Sequence, residues 1–105
     1  MADKTIDMGD YQVLADMRMP ECSLRILRLS RGKAVNLHVH RKTIQVYFVI
    51  EGDAVATVAD EDKKLGPMKS LRVPIDTPHA LSTESTAIAL SISIPPLRLD
   101  DQIMV

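Results

Sequence analysis

Where hydrophobic and polar positions along this chain show a period, it is two. The clearest case is TAIALSISI, Thr86 to Ile94: Ile88, Leu90, Ile92 and Ile94 share one parity, Ala87, Ala89, Ser91 and Ser93 the other. Side chains two apart in a strand point to the same face. The stretch is therefore predicted to be a long strand whose small face lines a pocket and leaves room for a ligand. QVYFVI, Gln45 to Ile50, reads as another strand from its β-branched and aromatic content. If Gln45 points inward, Tyr47 and Val49 follow, and Val46, Phe48 and Ile50 face outward and need cover of their own. Upstream, Val35, Leu37 and Val39 fall on one face and Asn36, His38 and His40 on the other. CSLRILRL, Cys22 to Leu29, is a further strand, but its alternation slips at Ile26-Leu27, which predicts a bulge or cover on both faces.

Shorter strands are expected at Tyr11 to Leu14, Ala54 to Ala59, Ser70 to Val73 and Ala80 to Ser82. Met17 to Pro20 reads as a connection, because Pro20 cannot donate to a central ladder. Ser30 to Lys33 is a turn, and Glu51-Gly52-Asp53 is a hairpin signal. DEDKK, Asp60 to Lys64, has neither the Gly nor the distal Glu of an EF-hand and is expected to be a solvated turn. Residues 1–10 read as a leader and 97–105 as a tail. A helical period is nowhere convincing, so the fold class is all-β, a sandwich or barrel.

Length makes residues 1–105 one domain. With 46% hydrophobic residues a real core is expected. A net charge of -1 argues against nucleic acid as a partner. No apolar run approaches the ~20 residues of a membrane helix, so no membrane partner is expected. Cys22, the single cysteine, reads as a packed small hydrophobe. Together with an N-terminus unlike a signal peptide, it points to the cytoplasm.

The candidate chemistry lies between Gly32 and Gly52. His38 and His40, on one face of a strand, can converge on one ion, and the amide oxygen of Gln45 can join them. His79 is a fourth candidate, presented by a loop that Pro74 and Pro78 stiffen.

G-x5-H-x-H-x4-Q-x6-G, Gly32 through His38, His40 and Gln45 to Gly52, resembles the first motif of the cupins, with Gln where Glu is usual. Pro74-x-Asp76-x2-His79 resembles the second, with Asp76 for its Gly, Thr83 for its Asn, and two extra residues after Gly66. The resemblance spans nearly the whole chain. It implies a small single-domain cupin, an RmlC-like jelly-roll barrel or double-stranded β-helix. It also implies one divalent transition metal (Fe, Ni, Zn, Mn or Co) held by His38, His40, Gln45 and His79, and a homodimer covering the outer apolar face. A three-His, one-Gln set is similar to that of small cupins acting on unsaturated uronates. Their Asp-x-Phe-x-Pro-x-Arg stretch is kept here only at Pro96 and Arg98, because Ile92 and Ile94 stand for the Asp and Phe. Tyr47 is then the best-placed candidate for proton transfer, and Arg98 for holding a carboxylate.

Two functions are expected from this. One is a small metalloenzyme (a dioxygenase, isomerase or lyase) acting on a small oxygenated or carboxylated compound. The other is a non-catalytic, metal-dependent module that binds or senses a small molecule. A purely structural zinc is a weaker third, since a Gln ligand is unusual in closed sites. Ligation needs neutral imidazoles, so occupancy is expected to fall below roughly pH 6.5.

Overall fold

The computed structural model describes residues 6–7, 11–32 and 34–105. The expected leader lies outside the described residues except at Ile6-Asp7, and so does Lys33 of the expected turn. The strands are β1 (Ile6–Asp7), β2 (Gln12–Arg18), β3 (Ser23–Ser30), β4 (Val35–Val39), β5 (Ile44–Gly52), β6 (Ala54–Val58), β7 (Glu61–Leu65), β8 (Ser70–Val73), β9 (His79–Ser82), β10 (Thr86–Ile94) and β11 (Ile103–Met104). A 3-10 turn, Leu99–Asp101, precedes β11. The strands form two antiparallel sheets, ordered β1-β2-β3-β10-β5-β8 and β11-β4-β9-β6-β7. Among the described residues no helix is long and apolar enough to cross a membrane.

The core lies between the sheets, and the period-two faces fill it. Tyr47 and Val49 of β5, Leu27 and Leu29 of β3, and Ala87 and Ala89 of β10 are buried there, against Val35, Ala56 and Leu81 from the other layer. The small face of β10 points inward as expected. Its bulky face points out, where register builds two apolar rungs: Ile26, Leu90 and Phe48, then Leu24, Ile92 and Val46. These six are only partly buried.

Four expectations change. The strand before Pro20 runs on to Arg18, taking in Met17, because Pro20 falls beyond the ladder. The slip near Ile26-Leu27 is a bulge in the partner strand: β3 pairs with β10 without interruption, and the register shifts in β2 between Val13 and Ala15. The charged segment is mostly a strand. Only Ala59 and Asp60 turn, both at positive φ (49° and 69°), and Glu61 to Leu65 pairs with β6. Two left-handed residues match the twist of a tight hairpin. At a sheet edge the charges stay solvated and discourage further pairing.

Finally, Gly52 does not close a hairpin. β5 and β6 belong to different sheets, so the chain crosses layers there. Gly52 has φ +79°, and a Cβ at this position would run into the carbonyl oxygen of Thr86. Gly52→Ala is expected to destabilise the fold by about 2 kcal/mol, from left-handed strain plus that clash. Urea unfolding would read the loss; an unchanged midpoint would rule the crossing strain out.

Candidate metal centre

The two sheets supply the candidate ligands from opposite sides. His38 lies opposite His79 across the β4–β9 ladder. Cross-strand partners project to one side, which brings their ring centroids to 4.1 Å. His40, just past β4, keeps the parity of His38; its ring is 4.7 Å from that of His38 and 5.1 Å from that of His79. Gln45 comes from β5 in the other layer. All four are buried, none more than 4% exposed.

The alternation expected over Val35 to His40 does not hold in the folded chain. The β4–β9 register shifts between Val35 and His38. Val35 is buried on the side of the histidines, whereas Asn36 is exposed and Leu37 is 39% exposed. The extra residue of a bulge reverses parity. That lets an apolar residue and two imidazoles of one short strand face the same interior.

Each ring is fixed from behind. Nδ1–H of His38 donates to Asn36 O at 2.7 Å, that of His79 to Thr77 O at 2.8 Å, and that of His40 to Asp101 O at 2.9 Å. A carbonyl only accepts, so in the neutral rings the proton sits on Nδ1 and Nε2 presents a lone pair. The Nε2 atoms of His38 and His40 are 3.1 Å apart, and Gln45 Oε1 lies 3.1 Å from His40 Nε2 and 2.9 Å from His79 Nε2. The amide is oriented too: Gln45 Nε2 donates to Ser93 Oγ at 3.2 Å, and Oε1 accepts the Tyr47 hydroxyl at 3.1 Å.

Four buried acceptors thus face one another with no proton between the imidazole nitrogens. Left alone this is unfavourable. A cation resolves it, and neighbouring donors on ~2.1 Å bonds at right angles would lie about 3 Å apart. The residues present therefore fit a divalent ion. His38, His40 and His79 form a group that could hold one, their ligand atoms all within 4.8 Å.

A proton is a poor substitute for the ion. Burial pushes the His79 imidazole down to about 4, its bond to Thr77 offsetting only part, with His38 and His40 adding to the fall. Burial lowers His38 too, against its bond to Asn36 and with His40 beside it. Protonation competes with ligation. Depressed values keep the His38 and His79 rings neutral below the ordinary 6.5, so the expected loss of metal moves down from there. Dialysis against buffers of decreasing pH should leave most metal in place at roughly pH 5.5. Loss centred on 6.5 would show that the rings titrate as if solvated.

The residue that sequence reasoning missed is Asp101. Besides its carbonyl on His40, its carboxylate accepts the backbone N–H of Arg41 at 2.9 Å and of Lys42 at 3.0 Å. Burial alone would raise its pKa, but these N–H groups, the Thr43 hydroxyl and His40 together hold it below the usual carboxylate range. β11 then pairs with β4 at His38 and Val39. The expected tail is therefore a brace for the two-histidine strand. No local signal in Leu97 to Val105 marks it, since its partners lie some sixty residues earlier.

Tyr47 is 1% exposed, and burial pushes its pKa well above the usual 10. Its hydroxyl is engaged by Gln45. Arg98 is not brought to the cluster: it is exposed and pairs with Asp100, Nε to Oδ1 and Nη2 to Oδ2 both at 3.1 Å. The guanidinium that does line the cavity beside His38, Gln45 and Tyr47 is Arg25. Its signal was its parity with Leu27 and Leu29 in CSLRILRL.

Two antiparallel sheets closed around inward imidazoles define a small β-barrel with a possible metal site. The chain belongs to the cupin family, whose Cupin domain profile matches residues 25–95. Its fold is similar to that of KdgF from a Halomonas species, at 21% identity and a TM-score of 0.79, covering 92% of this chain and 89% of that one. It is similar to TT1209 from Thermus thermophilus, at 25% identity and a TM-score of 0.76, covering 86% and 88%. It is also similar to Pac13 of Streptomyces, a nucleoside dehydratase, at 15% identity and a TM-score of 0.83, covering 98% and 84%. No curated protein matches the sequence.

Proposed function

We propose that this chain is a metalloenzyme of the cupin family, a dioxygenase, isomerase or lyase, acting on a small oxygenated or carboxylated compound. The supporting observation is the set of four convergent, buried acceptors. His38, His40, His79 and Gln45 would hold one divalent transition ion, and all four are neutral, so its charge stays available. The donor set suits Fe, Ni, Zn, Mn and Co alike. When bound, such an ion polarises a carbonyl, acidifies a water or binds a chelating oxygen pair.

The chain's own residues orient and shield. Asn36, Thr77 and Asp101 fix the rings through their carbonyls. Ser93 and Tyr47 fix the amide, so Tyr47 serves as a positioning residue. No carboxylate lines the cavity among the described residues. This favours oxygen chemistry over proton transfer by a protein base. Pac13 variants have been solved with uridine, which supports a small polar organic ligand for a barrel of this shape. A second reading, a non-catalytic metal-dependent binding module, is favoured by the same lack of a carboxylate among the residues lining the cavity, since holding an ion and its ligand needs no protein base.

Elemental analysis of the purified protein tests the metal, and oxygen uptake with the loaded protein separates the two readings. One equivalent of iron with substrate-dependent uptake supports the enzyme. Tightly held zinc without turnover supports the module. No metal, and none taken up when offered, would remove both.

The reading includes a homodimer in the cytoplasm, without nucleic-acid or membrane partners. The two apolar rungs outside the six-stranded sheet favour a second copy as cover. Leu90→Asp, central to one rung, is expected to convert dimer to monomer in light scattering. An unchanged mass would move the interface elsewhere.

A further inference from the structure

We propose that Arg25 makes the cavity beside the imidazoles an anion site, and that its ligand is a short-chain carboxylate carrying a second oxygen. In the unbroken β3–β10 ladder Arg25 stands opposite Ser91, which is buried at 5% exposure. Arg25 therefore projects inward, on the parity of Leu27 and Leu29, and it shares the cavity with His38, Gln45, Tyr47 and Ser91. A guanidinium directed inward calls for an anion, and the one it has among the described residues is the single carboxylate of Asp16.

Its ion-pair partner among the described residues is Asp16, on the neighbouring strand β2. The contact is one-point, Nε to Oδ2 at 3.3 Å, with the side chains 24% and 36% exposed. The other oxygen, Oδ1 of Asp16, is buried and has no hydrogen-bond partner. A guanidinium matches a carboxylate best through a two-point fork, and Asp16 does not provide it. Asp16 therefore holds the anion position only loosely, and a ligand carboxylate that makes the fork displaces it.

Size narrows the class. Free space of about 20 Å³ is little more than one water needs, so only a short acid enters, and it does so as the Asp16 carboxylate leaves Arg25. The carboxylate end goes to Arg25, and the second oxygen, hydroxyl or oxo, faces the imidazoles. The place of that second oxygen rests on the metal reading above. The anion anchor does not.

Calorimetric titration with lactate and with its uncharged isostere lactamide tests this, on protein loaded with metal and on protein stripped of it. Metal content is measured on every sample. Lactate should bind and lactamide should bind at least about tenfold more weakly, in keeping with loss of a charged hydrogen bond. Arg25→Gln should lose about ten- to a hundredfold in lactate affinity while holding its metal. Arg25→Lys, which keeps the charge without the fork, should fall between. Asp16→Asn should bind lactate about two- to fivefold more tightly, because a weak competitor is gone; a purely structural pair would move the other way. Equal binding of lactate by Arg25→Gln and the parent, no preference over lactamide, or no lactate binding at all would overturn the proposal. If the parent holds no metal, the metal reading falls, and the anchor stands or falls on lactate binding to the stripped protein.

Discussion

His79→Ala is expected to bring the metal content from about one equivalent to background, with affinity reduced more than about a hundredfold, beyond the loss typical of removing a mere supporting group. The ring is the link between β9 and the cluster, lying 2.9 Å from Gln45 Oε1 and 4.1 Å, centroid to centroid, from His38. A second readout has a sign that simple damage to the fold would not give. In the parent, metal at a hundred times its dissociation constant should stabilise folding by about 2.7 kcal/mol. In the variant that increment should vanish. Metal-free variant and parent should lie closer in stability than a core truncation implies, because the parent's convergent lone pairs are themselves unfavourable. Undiminished metal in His79→Ala would end the assignment of this residue as a ligand.

Asp101→Ala is expected to weaken metal binding about ten- to a hundredfold, although the residue touches no ion. Its carboxylate gathers the N–H groups of Arg41 and Lys42, and its own carbonyl receives the proton of His40 Nδ1. Substitution keeps the carbonyl but frees the turn that presents it. Two poorly satisfied N–H groups should also lower stability by about 2 kcal/mol. Asp101→Asn keeps an acceptor for one N–H and should fall between parent and Ala. A variant that lost stability but bound metal as tightly as the parent would show that the brace serves the fold alone.

How legible these features were depended on how local they are. The two-residue period of Thr86 to Ile94 and Gln45 to Ile50 is decided by burial of one face, and both strands lie as the pattern predicts. The spacing of His38, His40, Gln45 and His79 survived folding as a cluster. The β4 bulge was not legible, because it is a property of the register with β9, and Asn36-Leu37 carries no glycine to announce it. Edge strand β7 was hidden for the opposite reason: four of its five residues face solvent, so burial writes no pattern into them. Gly52, expected in a hairpin turn, is instead the last residue of β5, where the chain passes to the other layer. Asp101 reaches residues some sixty positions earlier and Arg25 lines a cavity with His38, and only the folded chain shows what they meet.

The bulge in β4 makes the spacer between Val35 and His38 a matter of length more than identity. Asn36 and Leu37 are both exposed, so the interior sets no limit on the size of their side chains. Their number is fixed. One residue fewer would rotate the histidines a half-turn out of the barrel while leaving the His-x-His string intact. Homologues that share the motif but differ by an insertion or deletion just upstream of it would then keep the letters and lose the site.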